Sequence, residues 1–194
     1  MAQFQKALQK TLLFEGGWVS NPDDPGGETY RGISRKSYPE WVGWAMIDSQ
    51  REALNFPGCL DEIEELQREI AAFYKKHYWE KIKGELIESQ AVANYFFDCS
   101  VLFGVKRASR MIQMAMMADQ KEWDGIVGKK TLLAINKHQE SDLICALILI
   151  RISRHAWVVS GNKKMKTFLN GWINRAILAS GDFGDGIIVL ASMI

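Results

Sequence analysis

The sequence predicts a mostly α protein with one small β-hairpin or irregular β element near residues 16–34. Two observations carry this. Apolar residues recur at helical spacing in segment after segment, and only residues 16–34 combine strand formers with a cluster of turn residues. With 194 residues, a compact fold of the chain buries roughly 70% of the surface its unfolded state exposes, so the core needs no disulfide support.

Phe4, Ala7, Leu8, Thr11 and Leu12 fall on one face of a first helix, whose last turn carries Glu15. Trp18, Val19, Thr29, Tyr30 and Ile33 then flank a turn at the Asp and Gly cluster. In "LDEIEELQREIAAFYKKHYWEKI", Leu60, Ile63, Leu66, Ile70, Phe73 and Tyr74 share a face, and Asp61 followed by Glu64 resembles a capping pattern. A helix from Leu60 to about Trp79 is expected. Further helices are expected in "SQAVANYFFDCSVLF", "VKRASRMIQMAMMA", "KKTLLAINK", "SDLICALILIRISRHAWVVS" and "KMKTFLNGWINRAILAS", punctuated by Gly104, Gly128 and Gly161. The apolar run Leu143 to Ile150 is far short of the roughly 20 residues that span a bilayer and reads as a buried helix.

Lys and Arg number 24 against 23 Asp and Glu, for a net charge of +1. Nothing in that balance calls for nucleic acid or an anionic membrane as partner. Cys59, Cys99 and Cys145 are too widely spaced for a CxxC motif, and an odd count suits no disulfide framework. Reduced, mostly buried thiols and synthesis in a reducing compartment are the expectation. Lys6 and Lys10 interrupt the N-terminal apolar residues, so no signal peptide is read there. His77, His138 and His155 are isolated from one another, and no metal or other cofactor is expected.

The chemistry concentrates in "LLFEGGWVSNPDDPGGETYRGIS", Leu12 to Ser34. Glu15 stands at a helix C-terminus, where the macrodipole and the aromatic neighbours Phe14 and Trp18 favour the protonated form that a general acid needs. Gly16 and Gly17 would let the chain leave the helix sharply and leave room for substrate. Asp23 and Asp24 lie between Pro22 and Pro25, whose fixed φ should aim the carboxylates. Glycosidic hydrolysis needs such a set: one carboxyl to protonate the leaving oxygen and a carboxylate to hold water or stabilise the oxocarbenium-like centre. Thr29 would help orient the water, and Trp18 and Tyr30 would stack on sugar rings. The same residues also suit a solvated helix end followed by an Asx turn over a packed core.

The segment resembles glycoside hydrolase family 108, the bacterial and phage N-acetylmuramidases also known as secretion activator proteins. The pattern stands here as Glu15-Gly16-Gly17-Trp18, Asp24-Pro25-Gly26-Gly27-Glu28-Thr29 and Gly32-Ile33-Ser34. "FYKKHYWEKI" with Tyr78 and Trp79, and "FFDCSVLFG" with Phe97, Asp98, Val101 and Gly104, are similar to later parts of the same family. "DGIVGKKTL" from Asp124 and "NGWINR" with Gly171, Trp172 and Arg175 resemble its predicted peptidoglycan-binding domain. Leu102 departs from the pattern, where the family has asparagine.

The resemblance implies a lysozyme-like helical fold and cleavage of the β-1,4 bond between N-acetylmuramic acid and N-acetylglucosamine. It makes Glu15 the catalytic acid and, by analogy with phage-type lysozymes, makes Asp24 the residue that positions water, with Asp23 as the alternative and Thr29 assisting. The composition shift around Gly104 suggests two lobes without a flexible linker. They are placed at residues 1–92, a catalytic lobe, and 93–194, a helical lobe resembling the peptidoglycan-binding domain, packed as one unit. Asp98, in an apolar helix, is expected to be paired, and Trp172 and Arg175 to make a packed cation-π or surface contact. The partner is the peptidoglycan glycan strand, reached at the wall through a holin-like pore, a dedicated exporter or cell lysis. A lytic transglycosylase and a non-catalytic wall-binding or secretion-assisting protein are the rival readings.

Overall fold

In a computed structural model the described residues are 1–20 and 27–181, so Asp23 and Asp24 lie outside them. The architecture is mostly α and lysozyme-like, with one small antiparallel sheet. The chain divides into two compact units: Leu12–His77, and Met1–Thr11 together with the chain from Tyr78 onward. This differs from the expected boundary at 92/93, and the reason lies in α1, Phe4–Leu12. The Phe4 ring packs 5.7 Å from Trp79 and 5.9 Å from Phe97, and the Ala2 N–H donates to the Ile87 carbonyl at 2.8 Å. Aromatic burial therefore draws the start of the chain to its later helices.

The Leu12–His77 unit carries a three-stranded sheet in the order β1 (Trp18–Val19), β2 (Thr29–Tyr30) and β3 (Ile33–Ser34). Trp18 pairs with Tyr30, and Tyr30 with Ile33. Besides the hairpin expected around the Asp and Gly cluster, a second, tight one turns at Arg31 and Gly32, with φ of 47° and 78°. Positive φ at both central residues matches the right-handed twist of the strands, and glycine accepts it readily. Helix α2, Gly43–Ser49, is not foreseen by the sequence pattern.

The helix expected from Leu60 to Trp79 is three pieces: a 3-10 turn at Gly58–Glu62, α3 at Glu64–Tyr74, and a wider π turn at Lys75–Trp79. Asp61 does not cap it. Ile63 occupies the cap position, and the Asp61 carboxylate instead accepts from the Tyr30 hydroxyl at 3.0 Å and from Arg31 Nη2 at 2.7 Å. The Arg31 guanidinium holds the Asp61 carboxyl below its ordinary range. Side-chain bonding won over capping because Ile63 already bends the chain into the helix with extended backbone at φ −83°, ψ 98°.

The other unit holds α1 with α4 (Gln90–Phe103), α5 (Val105–Ala115), α6 (Lys129–Lys137), α7 (Glu140–Gly161) and α8 (Lys166–Leu178). Ser89 caps α4 by accepting the Val92 N–H at 3.0 Å. Gly104, at φ 82°, turns α4 directly into α5. By length and composition α7 is apolar enough to cross a bilayer; here Leu143, Ile144, Leu147 and Ile148 form its buried face. Of the three thiols only Cys99 is buried, because Cys145 points from the outer face of α7 and Cys59 is half-exposed. Burial pushes the Cys99 thiol up to about 12, which leaves it protonated and unreactive at neutral pH.

At the centre of these helices Asp98 of α4 accepts from Arg151 Nη1 of α7 at 2.7 Å and from Arg175 Nη2 of α8 at 2.8 Å. Asp98 is thus paired, as expected, while Trp172 stacks 4.9 Å from the buried His155 ring. Burial first, then Arg151 and Arg154, push His155 down to about 4. Its unfolded form takes up a proton near pH 6.5, so between pH 6.5 and 4 protons favour the unfolded chain. Stability should therefore fall by about 3 kcal/mol as pH drops through that window. In His155→Phe, which keeps a ring against Trp172, melts between pH 7 and 4.5 should lose that part of the slope.

Candidate active site

Glu15 follows α1, where its N–H donates to the Leu12 carbonyl at 3.3 Å. Its side chain turns onto the Arg31-Gly32 hairpin. A Cβ added to Gly32 would stand 2.7 Å from Glu15 Oε2 and 2.7 Å from the Tyr74 hydroxyl. The carboxylate and the phenol oxygen thus converge on the space that a side chain at position 32 would fill. Tyr74 reaches it from α3 and donates to the Arg31 carbonyl at 2.6 Å, which clamps the hairpin from below. Sequence reading had placed Tyr74 only on a core face and Gly32 only in a motif; the glycine between two strand-forming pairs was the available signal.

Gly16 and Gly17 meet nothing within 4 Å at an added Cβ and have no positive φ. Neither is required for a sharp exit from α1; what they leave is open space beside the acid.

Trp18 is half-buried. Its indole N–H donates to Glu28 Oε1 at 2.6 Å, its ring meets Phe56 edge-on at 4.8 Å, and the Arg51 guanidinium lies 5.7 Å from its centroid. Thr29 is half-buried in β2, opposite Val19 and Ser34. Tyr30 is 1% exposed, which corrects the expectation of a sugar-stacking ring: its hydroxyl donates to Asp61 and accepts from Gln67 Nε2 at 3.3 Å. Burial first raises the Tyr30 phenol above its ordinary value.

Glu28, which the sequence marks only as a position inside the motif, is a hub. Arg35 Nε lies 2.9 Å from its Oε2 and Arg51 Nη2 2.6 Å from its Oε1, and both arginines also pair with Asp48, at 2.7 and 3.0 Å. The two carboxylates and two guanidiniums close a ring, and Arg35 holds the Asp48 carboxyl below its ordinary range. Trp18 and Glu28 stand either side of residues 21–26 in the chain, and their bond joins β1 to the residue before β2. The same unit opens a cavity of about 580 Å³ lined in part by Tyr38, Trp41, Phe73 and His77, rings of the kind on which sugars stack.

A small antiparallel sheet set in a helical framework is the lysozyme-like fold class. The chain belongs to the glycosyl hydrolase 108 family, whose model matches residues 8–104. A second model, described as a predicted peptidoglycan domain, matches residues 107–177. The solved structure of Brucella abortus SagA is similar at 28% identity and a TM-score of 0.59, covering 92% of this chain and 96% of that one. A comparison with curated proteins finds none that matches. The two family matches give the chain a peptidoglycan-directed glycosidase character.

Proposed function

We propose that the protein is an N-acetylmuramidase that hydrolyses the β-1,4 bond from N-acetylmuramic acid to N-acetylglucosamine, with Glu15 as the general acid. The observation that carries this reading is the turn of the Glu15 carboxylate onto Gly32, in a family of glycosyl hydrolases. A glycan bond lying beside the open space at Gly16 and Gly17 takes its proton from Glu15. Asp24, or Asp23, then directs water to the opposite face of the oxocarbenium-like sugar, with Thr29 orienting it, and the configuration inverts. Inversion expects the two carboxyls roughly 6.5 to 9.5 Å apart, whereas roughly 5 to 5.5 Å would mean a nucleophilic carboxylate and retention.

Mass spectrometry of fragments released from purified peptidoglycan tests the reading. Wild type should yield reducing-end muramic acid products, and Glu15→Gln should release them about 10²- to 10⁴-fold more slowly, the usual worth of a general acid. Products one water lighter would replace hydrolysis by transglycosylation. No release from several wall types would leave the wall-binding or secretion-assisting role.

A further inference from the structure

The segment matched by the peptidoglycan model carries a surface that hydrolysis leaves unused. Arg107 and Arg110 of α5 and Arg154 of α7 line a groove of about 480 Å³ with an apolar floor of Met111, Met114, Leu149 and Ile150, and among the described residues no carboxylate lines it. Among the described residues none of the three arginines forms an ion pair. Arg107 and Arg110 each donate to a backbone carbonyl, of Phe103 at 3.4 Å and Trp123 at 3.1 Å. The Arg154 guanidinium lies 5.9 Å from the Phe103 ring and 5.8 Å from that of Trp157. Each guanidinium has five N–H donors, so most remain for a ligand. Burial and the neighbouring Arg107 both disfavour the Arg154 charge, a cost that a bound anion would offset. The floor is also uncovered, with Leu149 65% and Met114 38% exposed.

We propose that this groove binds the peptide stems of peptidoglycan, the guanidiniums taking free stem carboxylates as paired hydrogen bonds while alanine methyl groups lie on the apolar floor. The inference rests on peptidoglycan being the substrate. Uncharged sugar hydroxyls give no reason to gather three cations. A polyanion or membrane surface is disfavoured as well, because the net charge of the chain is only +1.

The test uses the full chain with Glu15→Gln, so that binding is read without cleavage. Co-sedimentation with intact sacculi is measured alone and with an excess of free stem peptide or of stem-less glycan strands, the soluble product of amidase digestion. Free stem peptide should weaken binding to intact sacculi about ten-fold or more, and Arg107→Ala/Arg154→Ala should weaken it to the same extent. Lys129→Ala, on α6 outside the groove, should bind as the parent does. Melting curves establish that the double variant is folded, and the exposed Arg107→Glu alone carries the comparison if it is not. No binding to intact sacculi, no competition by free stem peptide, equal competition by stem-less glycan, an unaffected double variant, or equal capture by phosphatidylglycerol vesicles would each overturn the proposal. These outcomes are distinct from failure of the muramidase reading, which is seen in product release by the wild type.

Discussion

Gly32→Ala is expected to slow peptidoglycan hydrolysis about 100-fold or more while leaving a folded protein. Two effects act at this one position. The φ of 78° is one that L-residues adopt at a cost of roughly 1 to 2 kcal/mol. The new methyl carbon would also stand 2.7 Å from both Glu15 Oε2 and the Tyr74 hydroxyl, well inside van der Waals contact. The Tyr74 hydroxyl has no slack, since it is buried and already bonded to the Arg31 carbonyl at 2.6 Å. The flexible glutamate therefore gives way, and a displacement of about 1 Å at an acid is enough for a 100-fold loss. Gly17→Ala is the matched control: its Cβ meets nothing within 4 Å, so stability should change by no more than about 0.5 kcal/mol. Turnover of labelled peptidoglycan and thermal melts of both variants decide the matter. Full turnover in Gly32→Ala would mean that the carboxylate doing the chemistry is not the one held against this hairpin.

What the sequence discloses and what it withholds follow from the range of the forces involved. The helices α4 to α8 were visible because their apolar spacing is a local property of the chain. Helix α2 was not, since its seven residues, Gly43–Ser49, are too few to establish a period. Asp61 shows a related limit: three residues before Glu64 it looks like a cap, yet a partner in β2 and another in the adjoining turn claimed it. Glu15 was singled out by its neighbours in sequence, whereas Tyr74 and Gly32, which share its space, come from two other elements. The Glu28 ring is hidden for the same reason, joining residues 18, 28, 35, 48 and 51 through side chains whose charges look like ordinary surface residues one at a time. Tyr30 was misread because an aromatic beside carboxylates suits a sugar or a core equally well, and only the register of β2 decides which.

Asp98→Ala is expected to destabilise the protein by about 3 to 5 kcal/mol, because it takes the carboxylate from the buried Arg151 guanidinium. The Arg151 side chain is 0% exposed, so water cannot replace the carboxylate. For a chain of this length the loss corresponds to a melting point roughly 6 to 20 °C lower. A double variant, Asp98→Leu/Arg151→Met, removes the carboxylate together with the fully buried one of its two cations and should melt above Asp98→Leu alone, since apolar residues of similar size replace a buried pair at little cost. Equal melting of the two would mean that the packing of α4, and not its charge, is what Asp98 supplies. The node also joins the two matched segments: Asp98 lies in the hydrolase match, and Arg151 and Arg175 lie in the peptidoglycan match. Deleting the chain from Gly104 onward would strip Asp98 of both cations and uncover the apolar faces of α4. Such a deletion would abolish wall binding through misfolding whether or not the later helices touch the wall. Single substitutions in the arginine groove, which leave this node intact, are therefore the variants that report on binding itself.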